Sequence, residues 1–399
     1  MNDGGWMMLD KKNLIYLLCM ALLVSGIWGC GGSGLSVTSE KTLAAYIERG
    51  YTAEGKPGRV LVVDTRSSAE YIDGHIKDAM NVPYDMVAGN GMPLYHNGWD
   101  TISATASDQL ADSWFAHMLI NQLVNDFVST YSDSRIIFYG KASRNAVVVA
   151  EAIGYQDISY LSVDYDRWAE MYPDLTRQFG QGVVSVDKAG KSFVFKGSIN
   201  AANYDNVSTR ATHHGITYYG GALSFNSFLL ANIPPFIFHE ILVYLGATPR
   251  GNMAKGIYYG DMDEWGVKFP NGQRIDFSVK WEGADRFYGL SELFEEKPSE
   301  FDPNPEAFVP VGMVPRMGGT RDSNLLWNPG CIYCQYACVC GITSNAKANE
   351  ITWFDDGGIY DVMIFPDDER NYYAGRFYPR LDLFPGKGEA IQIKAAIVD

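Results

Sequence analysis

The chain has 399 residues, 47% of them apolar and 20% charged, and is long enough to bury more than one hydrophobic core. We therefore expect two globular domains. The formal net charge of −15 at pH 7 argues against a nucleic-acid partner, because a nucleic-acid groove needs clustered Lys and Arg to neutralise phosphates. The sequence contains no such cluster.

The first thirty residues have the layout of an export signal. Two lysines precede an apolar run over residues 13–29, which is short for a membrane-spanning helix. The run ends in Ile27-Trp28-Gly29-Cys30, which resembles a bacterial lipobox. That resemblance implies a lipoprotein signal peptide over 1–29, lipidation of Cys30 and a flexible tether over 30–40. An uncleaved membrane anchor is the alternative, and both place the protein in the cell envelope, facing the periplasm or the exterior.

Residues 41–178 alternate short apolar runs with helical patterns. This alternation predicts an α/β domain with a parallel sheet and helices on both faces. The predicted elements are, in chain order, a helix over 43–48, a strand over 59–64, a helical turn over 67–72, a helix over 107–130, a strand over 136–140, a helix over 145–153 and a strand over 158–161.

Short motifs in this region, taken in order, resemble the rhodanese family. A single Asp-Thr-Arg would mean little, but the whole series has the order and spacing of that family. The resemblance implies a rhodanese-like domain over residues 41–178. The motifs are Val63-Asp64-Thr65-Arg66, Glu70-Tyr71, Gly74-His75-Ile76, Ala79, Asn81-Val82-Pro83, Gly154-Tyr155 and Trp168.

Rhodanese-like enzymes carry a sulfane sulfur on a cysteine that begins a tight loop between a strand and a helix. Backbone N–H groups of the loop and the helix N-terminus lower the thiolate pKa and hold an anionic substrate. In this chain the resemblance aligns residues 140–145 with the loop, and glycine takes the place of the cysteine. We therefore expect no ordinary thiosulfate sulfurtransferase activity. The aligned loop residues are Gly140, Lys141, Ala142, Ser143, Arg144 and Asn145.

Three interpretations of Gly140 are open. The domain can be folded but inactive. Its loop can still bind an anion such as thiosulfate, sulfite or phosphate, with Lys141 and Arg144 as charge partners. A thiol from elsewhere in the chain can also enter the site. Asp64 and Arg66 are expected to have a structural role at the strand end, tying the turn that follows.

A second, α+β domain is predicted over 183–399, because the composition shifts at the glycine-rich residues 179–182, which are predicted to be the linker. Short strands are predicted over 183–186, 192–195 and 360–365. The apolar tract 225–245 is interrupted by two prolines, which predicts two short helices, or a turn and a helix.

Several motifs of the second domain resemble the YdjY family, in which a helix carrying His-Glu leads into a glycine-containing loop. The resemblance implies a small extracytoplasmic or redox-associated domain. The motifs are Thr212-His213-His214-Gly215, Gly220-Gly221, Phe238-His239-Glu240-Ile241-Leu242-Val243-Tyr244-Leu245-Gly246-Ala247 and Pro249-Arg250-Gly251-Asn252.

The histidines of these motifs are candidate metal ligands. Adjacent histidines on a strand point to opposite faces, so at most one of His213 and His214 can face a site with His239. A zincin motif would need a second histidine where Val243 stands. A structural role is therefore predicted for all three histidines.

Four cysteines, Cys331, Cys334, Cys338 and Cys340, fall within ten residues and can converge on one centre. Two disulfides fit an oxidising compartment, zinc or copper fits four thiolates, an iron–sulfur cluster fits the spacing loosely, and a reactive dithiol is a further alternative. Export as an unfolded chain favours disulfides over a cluster assembled in the cytoplasm. The absence of a Cys-x-x-Cys-His motif excludes covalent c-type haem.

These features together predict a membrane-tethered accessory or binding protein that docks a protein partner of redox or sulfur metabolism. The polar segment 85–112 is predicted as a surface excursion, where partner contacts collect. Two alternatives are a sulfur-transfer or thiol redox enzyme that uses the cysteine cluster, and a metal or iron–sulfur electron carrier.

Overall fold

In the computed structural model, the described residues form two large sheets and two small strand pairs. Within the described residues, no helix combines the length and the hydropathy that crossing a membrane requires. The structure describes residues 35–53, 59–84, 115, 119, 134–152, 154–180, 182–209, 212, 214–221, 223–248, 272–298, 312–318, 330–335, 341–346 and 377–398.

Five short parallel strands form the first sheet. They are β1 (Val37–Thr38), β2 (Val60–Asp64), β4 (Met80–Asn81), β5 (Arg135–Tyr139) and β6 (Ile158–Leu161). Their order is β1-β6-β5-β2-β4, and every neighbouring pair is parallel. The central strands β2 and β5 are apolar and almost wholly buried, as expected where helices cover a parallel sheet. A small antiparallel pair, β3 (His75–Ile76) with β7 (Thr176–Arg177), lies beside it.

Four helices accompany this sheet among the described residues: α1 (Glu40–Glu48), α2 (Ser68–Asp73), α3 (Ser143–Ala152) and α4 (Tyr165–Met171). Side-chain oxygens of residues that precede three of them accept hydrogen bonds from the first-turn N–H groups, which would otherwise lack partners. The strands and helices predicted before and after residues 107–130 are confirmed, and each end lies within three residues of its predicted position. The predicted helix 107–130 lies outside the described residues except for two buried helical positions, Phe115 and Leu119.

The predicted tether over 30–40 is wrong at its C-terminal end. Val37 and Thr38 pair with Tyr160 and Leu161 in β6, and the Thr38 hydroxyl is 2.7 Å from that of Ser159. The chain therefore enters the sheet before α1 begins. The predicted signal peptide and Cys30 lie outside the described residues.

Ten strands form the second, mixed sheet. The strands are β8 (Val183–Asp187), β9 (Ser192–Ile199), β10 (His214–Tyr218), β11 (Ser227–Ala231), β12 (Ile275–Trp281), β13 (Tyr288–Gly289), β15 (Pro315–Met317), β16 (Cys331–Cys334), β17 (Thr343–Asn345) and β19 (Ala390–Ile397). Their order is β13-β12-β19-β9-β11-β10-β16-β17-β15, and β8 pairs with the first half of β9. The pairs β10–β11 and β16–β17 are parallel and the others are antiparallel.

Three helices and one further strand pair complete the second domain as described. The helices are α5 (Tyr204–Val207), α6 (Pro235–Tyr244) and α7 (Leu290–Leu293), and the pair is β14 (Phe294–Glu296) with β18 (Phe377–Pro379).

The apolar tract 225–245 is a strand followed by a helix, so the prediction of two short helices, or of a turn and a helix, is wrong in its first half. β11 lies inside the sheet between β9 and β10, and four of its five residues are buried. A strand buried on both faces is apolar throughout and lacks the alternation that would distinguish it from a helix. Pro235 occupies the first turn of α6, where its missing N–H costs nothing.

The two domains are in contact through α2 and α6. The connecting segment packs into this contact: the Phe179 N–H donates to the Ile72 carbonyl over 3.0 Å, and the Phe179 ring lies 5.3 Å from that of Tyr244. Gly180 lies so close to Tyr71 that a Cβ there would be 2.8 Å from the ring. The predicted linker is therefore part of the packed structure.

His75 is a buried neutral histidine of the first domain. Its ring stacks on Tyr71 with 3.9 Å between centroids, and Nδ1–H donates to the Tyr71 carbonyl over 2.9 Å. Burial lowers the pKa of His75 to about 4, against an opposing contribution from that hydrogen bond.

We expect His75 to make the first domain sensitive to acid. Because the folded-state pKa lies below the ordinary value of about 6.5, the stabilisation is complete above that pH and is lost as the pH falls toward 4, by roughly 3 kcal/mol. The measurement is the urea-derived free energy of unfolding between pH 7 and pH 4 for the wild type and His75→Asn. The variant should show the flatter dependence on pH, and identical slopes would contradict the assignment.

Candidate functional site

The loop aligned with the rhodanese active site follows β5 at the carboxyl edge of the parallel sheet, where α/β proteins commonly bind ligands. Gly140 has φ +101°, and the Ser143 N–H donates to its carbonyl over 3.1 Å to close the turn. Helix α3 begins at Ser143, so its N-terminus faces the turn.

Gly140 has no room for a side chain. A Cβ built there would lie 2.8 Å from Thr65 Oγ1 and 2.9 Å from Arg66 Cγ. The Thr65 hydroxyl is held in place because it donates to the Tyr139 carbonyl over 2.8 Å. Both the left-handed backbone and the close packing therefore favour glycine.

Asp64 and Arg66 form a buried ion pair beneath this turn. The Arg66 guanidinium donates to both carboxylate oxygens, over 3.0 Å and 2.5 Å, and its backbone N–H donates to Asp64 Oδ1 over 2.9 Å. The Tyr139 hydroxyl donates to Asp64 Oδ2 over 2.6 Å, and Arg66 also donates to the Gly74 carbonyl. The pair thus joins the ends of β2 and β5 to the turn before β3.

The charges of this group are set by burial and by the pairing. Burial raises the pKa of the Asp64 carboxyl, and the hydrogen bonds and charge of Arg66 oppose that rise. Burial would lower the pKa of Arg66, but its bonds to Asp64 outweigh this and raise it. The guanidinium also lies 3.9 Å from the centroid of the Tyr165 ring, a cation–π contact. Arg66 is therefore held by Asp64, the Gly74 carbonyl and the Tyr165 ring.

The two cationic side chains of the loop differ: Arg144 has a partner away from the centre of the loop, and Lys141 is exposed. The Arg144 guanidinium carbon lies 5.1 Å from the centroid of the Tyr160 ring on β6. Lys141 is exposed, and its charge contributes to the lowered pKa of Glu70, which results chiefly from the hydrogen bond of Ser67. Anion binding by residues 140–145 stays a prediction.

A second cluster of reactive groups lies between β10 and β16. His214 Nδ1 is 3.1 Å from Cys331 Sγ and 3.6 Å from Cys334 Sγ, and the ligand atoms of all three residues lie within 4.8 Å of one another. The two cysteines have no exposed surface and His214 has 2%. Neither sulfur is bridged in a disulfide within the part of the chain that the structure describes.

Sequence spacing does not predict that His214 lies beside the cysteines. The contact joins residues 117 positions apart, and it exists because β10 pairs with β16. His239 is buried on α6 and is not part of the cluster. Cys338, Cys340 and His213 lie outside the described residues.

The surroundings of the cluster are polar as well as buried. Thr217 Oγ1, Tyr333 OH and Gln335 Nε2 are buried on or beside the same two strands without a hydrogen-bond partner among the described residues. Burial raises the pKa of Tyr333, and Cys334 adds to that rise. The Gly341 backbone approaches the sulfur so closely that a Cβ there would lie 3.1 Å from Cys334 Sγ.

Comparison with known proteins gives matches to each half of the chain. The family model described as "Rhodanese-like domain" matches residues 51–171, and that described as "YdjY domain" matches residues 184–356. The uncharacterized protein YdjY of Escherichia coli (strain K12) is 30% identical over 138 residues, which cover 35% of this chain. The chain spans 53% of the length of that relative.

Solved structures are similar over comparable shares of the chain. The Saccharomyces cerevisiae single domain sulfurtransferase RDL2 is 14% identical, covering 36% of this chain and 97% of that one, with a TM-score of 0.24. The BH2092 protein of Bacillus halodurans is 16% identical, covering 40% and 82%, with a TM-score of 0.21.

The family matches agree with the two sheets of the fold. The rhodanese-like match covers four of the five parallel strands, and the YdjY match begins in β8. This chain therefore contains a rhodanese-like domain followed by a YdjY domain, in an overall α/β architecture.

Proposed function

We propose that this protein is an accessory protein of the cell envelope that binds an anion or a protein partner through its rhodanese-like domain and does not transfer sulfur there. One observation carries this proposal: residues 51–171 contain no cysteine. A persulfide requires a thiol, so this domain has no residue on which to hold a sulfane sulfur.

Binding at the turn would use the backbone together with one exposed lysine. Arg66 is paired with Asp64 and Arg144 lies over the Tyr160 ring, so the donors to an anion would be the N–H groups of the turn, the N-terminus of α3 and Lys141. A protein partner that presents a carboxylate or a phosphate would use the same donors.

The alternative enzyme, with its chemistry at the cysteine cluster, has less support. Cys331 and Cys334 are completely buried, whereas a thiolate that attacks a substrate must be reachable. The contact of His214 with both sulfurs is the one feature that would suit such chemistry. The burial therefore favours the accessory function.

Membrane tethering through Cys30 is the second part of the proposal. Val37, where the sheet begins, lies seven positions after Cys30, and seven extended residues span at most about 25 Å. A lipid on Cys30 would hold the rhodanese-like domain beside the membrane, where envelope partners are concentrated.

We expect the purified protein to show no thiosulfate:cyanide sulfurtransfer above the rate without protein. The matched control replaces all four cysteines of residues 331–340 with serine. Activity that survives in this quadruple variant would refute the proposal, and activity that disappears with those cysteines would favour the enzyme.

The packing at Gly140 is tested by comparison with Gly154, which has the same φ of +101° but no atom within 4 Å of an added Cβ. Gly154→Ala should cost about 1 kcal/mol of unfolding free energy, from the left-handed backbone alone. Gly140→Ala should cost about 3 kcal/mol, because overpacking against Thr65 and Arg66 is added. Equal losses in urea unfolding would show that the space is available to a side chain.

Lipidation is tested by Cys30→Ser in the native host. We expect the wild type to incorporate labelled fatty acid and to lie in the membrane fraction, from which detergent releases it. The variant should incorporate no fatty acid and should not need detergent to become soluble. An unlabelled wild type would contradict the tether.

A further inference from the structure

We propose that His214, Cys331 and Cys334 bind one zinc ion. Two thiolates and one imidazole nitrogen form a donor set that zinc takes in proteins. This site is independent of the function proposed for the first domain.

The distances among these atoms fit a tetrahedral ion. With metal–sulfur bonds of about 2.3 Å and metal–nitrogen bonds of about 2.0 to 2.1 Å, a tetrahedral angle places nitrogen and sulfur about 3.5 Å apart. The His214 Nδ1 atom is 3.1 Å from Cys331 Sγ and 3.6 Å from Cys334 Sγ. The three atoms can therefore reach one ion with small side-chain movements.

Hydrogen bonding alone accounts less well for this arrangement. An imidazole Nδ1 has either one hydrogen or one lone pair, so it can serve one sulfur well and not two. Two sulfurs nevertheless converge on the same nitrogen, all three in a nearly water-free position. A shared metal ion uses all three groups at once.

The backbone is built to bring the two sulfurs together. In a regular strand, side chains three positions apart point to opposite faces. The pairing of β10 with β16 shifts register between His214 and Ile216 and again between Ile216 and Thr217, with Cys334 opposite His214 and Cys331 opposite Thr217. Such an irregularity redirects side chains, as bulges next to functional sites do.

Charge favours zinc over copper(I). Two thiolates and a neutral imidazole carry a charge of −2, which a divalent ion cancels and a monovalent ion does not. A buried net charge is costly, and His214, Cys331 and Cys334 are all buried. The ion would join β10 to β16 across the sheet.

The first test uses the full-length wild-type protein, prepared without chelators. We expect about one zinc per chain by elemental analysis, and an X-ray absorption spectrum that requires two sulfur neighbours and at least one imidazole. A spectrum with four sulfurs and no imidazole would assign the metal to the cysteines alone and overturn the site. Absence of zinc after reconstitution under reducing conditions would also overturn it.

The second test compares His214→Gln with His239→Gln, a buried histidine of the same domain outside the cluster. We expect at least a tenfold loss of zinc affinity for the first, measured by competition with a chromophoric chelator, and no loss for the second. Cys331→Ser and Cys334→Ser should behave like His214→Gln.

Because these variants could lose zinc by misfolding, a further test uses the wild type alone, with cobalt in place of zinc. Tetrahedral cobalt with thiolate ligands gives visible d–d bands and a near-ultraviolet charge-transfer band, and neither depends on any variant. Their absence, or unchanged zinc affinity in His214→Gln, would contradict the proposal.

Discussion

The turn that follows β5 is shaped by the buried ion pair between Asp64 and Arg66. The pair fixes Arg66 beneath the turn, where its Cγ occupies the space that a side chain at position 140 would need. Removing one partner would leave an unpaired buried charge, at a cost of about 3 to 5 kcal/mol. Glycine at position 140 is thus a residue that this packing permits, and residues 51–171, which match the rhodanese-like family, contain no cysteine.

The described thiols of the protein are both in the other domain. They lie on an inner strand of a mixed sheet, with no exposed surface, beside the imidazole of His214. Catalytic thiols are partly exposed, whereas metal-binding thiolates are commonly enclosed. The two domains therefore differ in their thiols: the rhodanese-like match contains no cysteine, and the described cysteines of the second domain are enclosed.

Local sequence signals predicted much of the first domain. The strand over 158–161 has the predicted bounds, and the motifs around Asp64 and Gly74 indicated the family, because these features depend on neighbours in the chain. Contacts between residues far apart in the sequence were harder to predict. β1 was not predicted, because it follows a glycine-rich segment and its two residues form a strand only by pairing with β6.

The second domain shows the same limit more strongly. β11 was predicted as helix or turn because an apolar strand inside a sheet has no alternation. The candidate site was half predicted: the cysteines were found from their spacing, but His214 joins them only through a strand pairing that no local pattern indicates.

The state of Cys331 and Cys334 tests the account most directly. Differential alkylation, read by peptide mass spectrometry on protein prepared without reductant, separates the alternatives. The account predicts that both cysteines are unlabelled in the native protein and become labelled after unfolding with a chelator and no reductant. Labelling only after a reductant is added would show a disulfide and contradict the account.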